Sequence, residues 1–372
     1  MLQCVAARDA HVACVTAVWT VWSWGKGSSG PFGHGNRDPR QRPVRLRKQM
    51  YGESPAVMVG CGGTIRRRGG HTLVLTGVGV WSCGWGEFGQ LGHGDTADQL
   101  VLTRVGGETF RGAQIVTMAA GGVHSAALGV EGRVWTWGDG GNGQLGHYDK
   151  QIRLVPTLLE GEALRGAAVL VAAGASHTVA VVNGLLWVWG CNLYGQLGLG
   201  DEDERLAPTV VGSEAAFAGS QVLTADCGNS HTLVVTTVGT LWWFGTGQDG
   251  MGQDGAPCHN DHNQRLVPTR IETQHFGNAK IVSAAAGSGH SAATTEEGAL
   301  FMWGDEAEGL GHADGETKLV PTRVAPCRAS TSGAVTTCHQ CTPSPLPWVP
   351  TRGWAAQTSQ RLMLQVQRAA YT

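Results

Sequence analysis

The sequence predicts an all-β propeller, and two observations carry that prediction. A short aromatic strand that ends in glycine recurs six times, with terminal glycines at Gly25, Gly84, Gly138, Gly190, Gly245 and Gly304. These glycines follow one another at steps of 52 to 59 residues, and self-similarity at this period is typical of solenoids and propellers. The second observation is the makeup of one repeat, in which short apolar runs alternate with glycine and acidic turns. Such runs indicate strands rather than helices.

The fourth copy shows the elements in order. Val169–Ala173 and Val179–Val181 are apolar runs, Leu186–Gly190 is the aromatic strand, and Ala207–Val211 closes the repeat. These four segments predict the four-stranded sheet of a propeller blade. The glycine loop Asn192–Gly200 and the acidic residues 201–204 separate the last two strands.

Six units of this kind can be delimited, at Met1–Leu46, Cys61–Val105, Val116–Leu158, Val169–Val211, Val222–Ile271 and Val282–Val324. We interpret residues 47–60 and 256–263 as insertions. Because Met1 enters the pattern midway, we expect the first blade to take a missing strand from the other end of the chain. Residues 1–324 then form the propeller, and residues 325–372 form an irregular tail or a degenerate blade.

Composition excludes several classes of protein. The chain has 57 glycines, 15% charged residues and a formal net charge of −2, which favours neither a nucleic-acid binder nor an acidic scaffold. Its ten cysteines do not recur at one place in the repeat, so we expect free thiols in a reducing compartment. No apolar run approaches the roughly 18 residues of a membrane span. We therefore predict an intracellular protein of the cytoplasm or nucleus, without a signal peptide.

The repeat resembles that of the regulator of chromosome condensation family. The resemblance rests on Gly-x-x-His-Ser/Thr, on the Trp-Gly strand ends, on Gly-Gln-Leu-Gly and on Pro-Thr, first seen complete at Gly121–Ser125, Trp137–Gly138, Gly143–Gly146 and Pro156–Thr157. It covers residues 1–324 and implies a ring of the seven-bladed type, with a degenerate or incomplete last blade. It also implies a protein-binding function, because members of the family act as interaction platforms or exchange factors.

The residues that recur in every repeat are predicted to be structural. His124, His177, His231 and His290 could in principle bind a metal or act as bases, but recurrence favours packing, with each imidazole bonded to a loop carbonyl. Trp137, Trp189 and Trp303 are expected to fill the space between sheets.

Partner binding is predicted at four candidate exposed loops. The candidates lie in the four loops 139–142, 192–194, 246–249 and 305–308, and are Asp139, Asn142, Asn192, Tyr194, Asp249, Asp305 and Glu308. Their glycine, acidic and amide content suits a protein-binding surface. The resemblance implies, as an alternative, guanine-nucleotide exchange on a Ran-like small GTPase.

Chromatin contact would require a basic surface, and the first two units hold one candidate. Arg40, Arg42, Arg45, Arg66, Arg67 and Arg68 could neutralise phosphates or meet an acidic protein. A solvated basic edge is the alternative interpretation, given the near-zero net charge.

Two further relationships follow from the resemblance. Plant ultraviolet-B receptors of this repeat type use tryptophan and arginine just before the repeat histidine, where this chain has Gly122-Val123, Ala175-Ser176, Asn229-Ser230 and Ser288-Gly289. Photoreception is therefore not predicted. Propellers of this kind also occur in ubiquitin ligases, so a regulatory part of such a system is a further alternative.

No catalytic constellation, cofactor or metal site is predicted. Residues 258–262 and 338–341 contain clustered Cys and His, but no second ligand pair accompanies either stretch, as a zinc site would need. Neither a phosphate-binding loop with lysine nor a nucleophile elbow occurs.

Overall fold

The computed structural model describes residues 2–8, 11–26, 29–64, 69–106, 108–161, 164, 168–212, 216–246, 261, 263–305, 310–312 and 316–325. Within them the chain forms six four-stranded sheets, each one blade. Two 3-10 helices, Lys48–Tyr51 and Thr273–Phe276, lie between blades. No helix among these residues is long and apolar enough to cross a membrane. The predicted all-β propeller with six repeats is confirmed.

The strands follow the chain from the inside of each blade to its outer edge. Blade 1 comprises β1 (Leu2–Arg8), β2 (His11–Thr16), β3 (Val21–Gly25) and β4 (Arg40–Arg45). Blade 2 comprises β5 (Ala56–Thr64), β6 (Gly69–Thr76), β7 (Gly79–Gly84) and β8 (Gln99–Arg104). Blade 3 comprises β9 (Ile115–Ala120), β10 (His124–Gly129), β11 (Val134–Gly138) and β12 (Arg153–Leu158). Blade 4 comprises β13 (Ala168–Ala173), β14 (His177–Val182), β15 (Leu185–Gly190) and β16 (Arg205–Val210). Blade 5 comprises β17 (Val222–Cys227), β18 (His231–Thr236), β19 (Leu241–Gly245) and β20 (Arg265–Arg270). Blade 6 comprises β21 (Ile281–Ala286), β22 (His290–Thr295), β23 (Leu300–Gly304) and β24 (Lys318–Arg323).

The first blade is complete without help from the other end of the chain. Its sheet order is β1-β2-β3-β4, and β1 pairs with β2 over most of its length. The expectation of a strand donated from the C-terminal end was therefore wrong. That expectation arose because Leu2–Arg8 lacks the glycine that marks the end of the inner strand in later repeats. The segment was therefore interpreted as part of an incomplete blade.

The extra residues of the second blade lie at a hairpin and not between blades. Residues 46–55 make the connection from β4 to β5, and β5 already begins at Ala56, so residues 47–60 are not an insertion. Instead, His71 pairs with Gly62, nine residues earlier, whereas His124 bonds Gly121, three residues earlier. The β5–β6 hairpin is thus longer than its counterparts, and its tip, residues 65–68, lies outside the described residues.

The apolar core is divided among the contacts between consecutive blades. Five clusters of buried side chains each join one blade to the next, from blades 1 and 2 to blades 5 and 6. The second strand of a central blade has neighbours on both sides, so every residue of β14 and β18 is buried. These strands therefore read as continuous apolar runs rather than as alternating patterns.

A buried polar relay crosses each of these contacts. The repeat histidine donates from Nε2 to the hydroxyl that follows the histidine of the next blade. The five pairs are His11–Thr72 (3.2 Å), His71–Ser125 (3.1 Å), His124–Thr178 (2.8 Å), His177–Thr232 (3.1 Å) and His231–Ser291 (3.0 Å). The direct partner of each of these imidazoles is therefore a hydroxyl of the next blade and not the loop carbonyl that was expected.

The relay defines the tautomer of the histidines. The Thr178 hydroxyl donates to the Gln144 carbonyl (2.8 Å), so its lone pair must accept a proton held on Nε2 of His124. Nδ1 of His124 has no hydrogen-bond partner in the described residues, as expected for the unprotonated nitrogen. Thr72, Ser125 and Thr232 donate in the same way to Pro31, Gln90 and Gln196.

The glycine three residues before the histidine makes room for the imidazole. A Cβ at Gly174 would lie 2.3 Å from Cε1 of His177 and 2.5 Å from its Nδ1. No side chain fits there while the ring keeps its position, which explains the Gly-x-x-His pattern.

The tryptophans complete each contact between blades. Trp135 and Trp137 are fully buried and pack against Leu73, Leu75 and Val80 of the preceding blade. Trp137 Nε1 donates to the Gln90 carbonyl and Trp189 Nε1 to the Gln144 carbonyl, both at 2.9 Å. The carbonyl of the Gly-Gln-Leu-Gly glutamine therefore accepts both a hydroxyl and an indole from the next blade. Trp137, Trp189 and Trp303 are all fully buried.

Removal of one relay hydroxyl is expected to destabilise the protein. Thr178→Val keeps the shape of the side chain but leaves the His124 N–H unpaired, which we expect to lower the free energy of unfolding by about 2–3 kcal/mol. Thr178→Ser is the matched control, because serine occupies this place at Ser125 and Ser291, and should cost about 1 kcal/mol. Urea denaturation measures both. Equal stability of the two variants would contradict the relay.

Stability is also expected to depend on pH through the same histidines. Burial, the largest cause, lowers the pKa of His71, His124, His177 and His231 to about 3 and that of His11 to about 4. An unfolded histidine binds its proton near pH 6.5, so the native state loses stability as the pH falls below that value and keeps it fully above. Each histidine contributes a slope of about 1.4 kcal/mol per pH unit once the unfolded form is protonated.

Urea denaturation between pH 7.5 and 5 measures this effect. His177→Gln removes one of at least six histidines whose pKa is lowered by burial, His147 included, and should make the profile less steep by about one sixth or less. A free energy of unfolding that stays constant from pH 7.5 to 5 would show that the histidines are not buried as neutral rings.

Candidate functional site

One face of the propeller gathers most of the predicted partner-binding residues. In every blade the turn between the first two strands and the loop between the last two emerge at the same end of the sheet. Backbone bonds join them: the amide of Asp139 donates to the Val123 carbonyl (3.0 Å), and that of Asp305 to the Gly289 carbonyl (2.9 Å). We call this end, with its turns and glycine loops, the loop face. Asp139, Asn142, Asn192, Tyr194 and Asp305 all lie on it.

The third-blade loop is held by its own side chains. Asp139 accepts the Gly141 N–H at Oδ1 (3.0 Å) and the Gln144 amide at Oδ2 (3.3 Å). Gln144 Oε1 in turn accepts the backbone N–H of Asn142 (2.8 Å). Asp139 and Asn142 are half-buried, so part of each side chain faces solvent from a fixed backbone.

The fourth-blade loop is held from inside. Asn192 is fully buried; its amide donates to the carbonyl (2.8 Å) and carboxylate (3.1 Å) of Asp201, and its Oδ1 accepts the Leu197 N–H (2.9 Å). Its atoms therefore position the loop and do not reach the surface. Tyr194 is half-buried, and its backbone N–H donates to Gln196 Oε1 (2.9 Å).

An acidic residue and an arginine four positions later close several glycine loops. Asp149–Arg153 (2.7 Å), Asp201–Arg205 (2.6 Å) and Asp261–Arg265 (2.8 Å) are ion pairs of this kind. The hydrogen bond from Arg205 is the largest cause that lowers the pKa of Asp201. These ion pairs were not predicted, although the constant spacing from the acidic residue to the arginine is visible in the sequence.

Two exposed side chains of the glycine loops were not predicted. Leu193 lies on the loop face, whereas Tyr148 bonds the Leu206 carbonyl of the next blade through its backbone N–H (2.8 Å) and lies near Gly161, past the opposite end of β12. Leu193 and Tyr148 are each 65% exposed although both are large and apolar. Tyr148 also has a positive φ of 66°, in the left-handed region that is uncommon for residues other than glycine. Large apolar side chains within glycine and acidic loops were a usable signal, because nothing in a solvated turn requires them.

Two other predicted loop residues lie outside the described residues, namely Asp249 and Glu308. Asp305, which begins the sixth-blade loop, is half-buried. Arg66, Arg67 and Arg68 of the predicted basic patch also lie outside the described part of the chain.

The remaining basic residues follow the outer edge of blade 1. Arg40 pairs with Gly25 at the loop-face end of β4, whereas Arg45 pairs with Trp22 at the opposite end. Arg40 is tied to Asn36 (2.8 Å), while Arg42 and Arg45 are exposed and form no ion pair within the described residues. Beyond them, a shallow cavity of about 320 Å³ is lined by Arg45, Leu46, Arg47, Lys48 and Gln49. The basic edge therefore extends away from the loop face.

Metal ligands are not assembled in the described residues, where no three His, Cys, Asp or Glu side chains lie close enough to hold an ion. Asp261 forms the loop ion pair with Arg265, and the neighbouring Cys258, His259 and His262 lie outside these residues, as do residues 338–341. The six described cysteines are free thiols, and five of them are buried.

The sequence matches known proteins over most of its length. The model of the RCC1-like domain matches residues 1–342. The ultraviolet-B receptor UVR8 of Arabidopsis thaliana is 36% identical over 81% of this chain and 64% of its own length. The secretion-regulating guanine nucleotide exchange factor of Mus musculus is 30% identical over 78% of this chain and 60% of its own length. The human ubiquitin ligase HERC2 is 34% identical over 82% of the chain, which corresponds to 6% of HERC2.

The chain therefore spans less than two thirds of each of these relatives. At the turn positions compared with ultraviolet-B receptors, it has the small or polar residues named above rather than aromatic or arginine side chains.

Solved structures show the same fold. Human WBSCR16 superposes with a TM-score of 0.75 and 25% identity over 88% of this chain and 82% of its own. Prp20p of Saccharomyces cerevisiae superposes with a TM-score of 0.69 and 22% identity over 87% of this chain and 76% of its own. With the buried histidine relay, the indole contacts and the glycine loops in place, these matches lead to one conclusion: the chain belongs to the family of RCC1-like domain propellers.

Proposed function

We propose that this protein is a non-enzymatic interaction module that binds a protein partner through the loop face. The observation that carries the proposal is the exposure of Leu193 on that face. Exposed large apolar side chains on a rigid surface mark sites of protein–protein contact more often than scattered polar turns do.

The rigidity of the loops supports this function. In blades 2, 3 and 4 the glycine loop is held by a buried leucine and a buried glutamine, and in blades 3 and 4 an aspartate–arginine pair closes it as well. Leu91, Leu145 and Leu197 are buried beneath their loops. A preordered surface loses little conformational entropy on binding, so more of the contact energy remains as affinity.

The surroundings of this side chain are polar, as the rim of a binding patch is. Asp139, Asn142 and Tyr194 are half-buried on the same face. A partner with a small apolar knob or groove bordered by hydrogen-bonding groups would match this composition.

The interaction can be tested with matched variants on the two faces. Leu193→Asp places a charge on the loop face, and Val78→Asp places one at an exposed turn of the opposite face. Immobilised wild-type and variant proteins are compared by affinity capture and quantitative mass spectrometry. We expect the loop-face variant to lose its specific partners by about tenfold or more, because central apolar contacts dominate binding energy.

The opposite-face variant should keep those partners. If the loop-face variant retained the same proteins at wild-type levels while remaining folded, the loop face would not be the binding surface.

Guanine-nucleotide exchange on a Ran-like small GTPase is a second candidate function. The similarity to the mouse exchange factor favours it, as does the fold shared with Prp20p, whose structure was reported with its binding to Gsp1p and histones. Exchange requires a face that distorts the nucleotide site rather than a catalytic side chain, and the loop face is the candidate. Chromatin contact through the basic edge of blade 1 would accompany exchange as a second binding activity of the same protein.

The exchange activity is tested by capture of nucleotide-free small GTPases followed by release of a fluorescent nucleotide. We expect at least one Ran-like GTPase to release nucleotide about tenfold faster with the protein present, and the loop-face variant to slow that release. The opposite-face variant is the control. Unchanged release from every Ran-like GTPase would reject exchange and leave the interaction module.

A further inference from the structure

Blade 1 departs from the repeat at one inward-facing position. Three residues before the repeat histidine, blades 3 to 6 have glycine, whereas blade 1 has Arg8, which pairs with His11. The His11 ring is accordingly placed against Gly70 of blade 2, where a Cβ would lie 2.9 Å from its Cε1. Packing within blade 1 therefore does not explain why an arginine stands at this site.

The Arg8 side chain leaves its own blade and reaches across the ring. Its Nη1 donates to the Ala173 carbonyl of blade 4 (3.3 Å), and its Nη2 donates to Oδ1 of Asn229 in blade 5 (3.2 Å). Blades 2 and 3 separate these partners from blade 1 along the chain. The guanidinium therefore lies across the axial opening at the loop-face end of the inner strands.

The contact continues from blade 5 to blade 6. The Asn229 amide donates to the Ser288 hydroxyl, and the Ala286 N–H donates to the Asp226 carboxylate (2.8 Å). The turn that holds Arg8 is thus itself fixed to the next blade.

The electrostatic influence of Arg8 agrees with an axial position. After burial, which is the largest cause, the Arg8 charge further lowers the pKa of histidines in blades 2, 3, 4 and 5. It also lowers the pKa of Asp226, against the larger effect of burial, which raises it. One charge influences groups in four blades only if it lies near their common centre.

The boundary between blades 6 and 1 is where a connection across the ring would add most to the stability of the propeller. Five buried apolar clusters join consecutive blades, but none among the described residues joins blade 6 to blade 1. Trp24 of blade 1 is only half-buried, whereas Trp137, Trp189 and Trp303 at the same strand position are fully buried.

We propose that Arg8 is a cross-axis tie, which holds blade 1 to blades 4 and 5 through Ala173 and Asn229 and thereby fixes the spacing of the turns on the loop face. This tie adds to the contacts between neighbouring blades, and it does not depend on the identity of any partner.

The decisive variant restores the residue of the other repeats. If the repeat pattern alone decided the stability of the protein, Arg8→Gly would be neutral or stabilising, because glycine stands at this position in blades 3 to 6. The tie predicts the opposite: a lower midpoint of urea denaturation and about tenfold faster hydrogen exchange at the amides of Gly174, Ala175 and Gly228. Arg42→Ala, which removes an exposed arginine of the same blade, is the control and should change neither quantity.

A double-mutant cycle separates the tie from a general loss of packing. In the wild-type background, Asn229→Ala should destabilise the protein and speed exchange at Gly174 and Ala175. In the Arg8→Gly background it should add much less, because the bond is already absent. If Arg8→Gly does not fold, the same cycle is made with Arg8→Lys, which keeps the charge but cannot reach both acceptors as a planar fork.

Additive effects of the two substitutions, or an Arg8 variant as stable as wild type, would overturn the proposal.

Discussion

The fold depends on a buried imidazole that must stay neutral and must find its partner in the next blade. Five repeat histidines donate to a hydroxyl of the next blade, and four of these hydroxyls in turn donate to a carbonyl in the glycine loop of the histidine's blade. Within a low-dielectric interior such a chain of bonds is costly to leave half-made. Consecutive blades therefore have one relative placement that satisfies the relay, and the apolar clusters around it can pack only in that placement. The polar relay provides the specificity, and the surrounding tryptophans and valines provide most of the driving force.

Much of this architecture could be predicted from the sequence, because the determinants repeat. Histidine, tryptophan and glycine recur at fixed places, and a residue type that every blade requires is visible without any structure. What could not be predicted lies where blades differ. The inner strand of blade 1 lacks its terminal glycine, and the extra residues of blade 2 lie in the β5–β6 hairpin rather than between blades, where the repeat pattern suggested an insertion. Arg8 appeared as an imperfect match to glycine, and its partners lie more than 160 residues away. Sequence spacing does not indicate contacts across a ring.

The candidate site shows the same division. The loops that bear Asp139 and Tyr194 could be located, because glycine loops follow each aromatic strand. Which of their side chains reach solvent could not be read from composition. Asn192 and Asn142 look alike in sequence, yet the first is fully buried and the second half-exposed. The difference comes from Asp201, whose carbonyl and carboxylate capture the Asn192 amide.

The two donors that meet at the Gln144 carbonyl link this surface to the interior. Thr178 and Trp189 both belong to the blade that follows the loop. The backbone of each loop is consequently fixed from beneath, while outward side chains such as Leu193 and Tyr148 contribute little to that anchorage. Substitutions at such outward positions would change the side chains offered to a partner without lowering the stability of the fold. One scaffold can therefore present different surfaces by changing a few projecting residues.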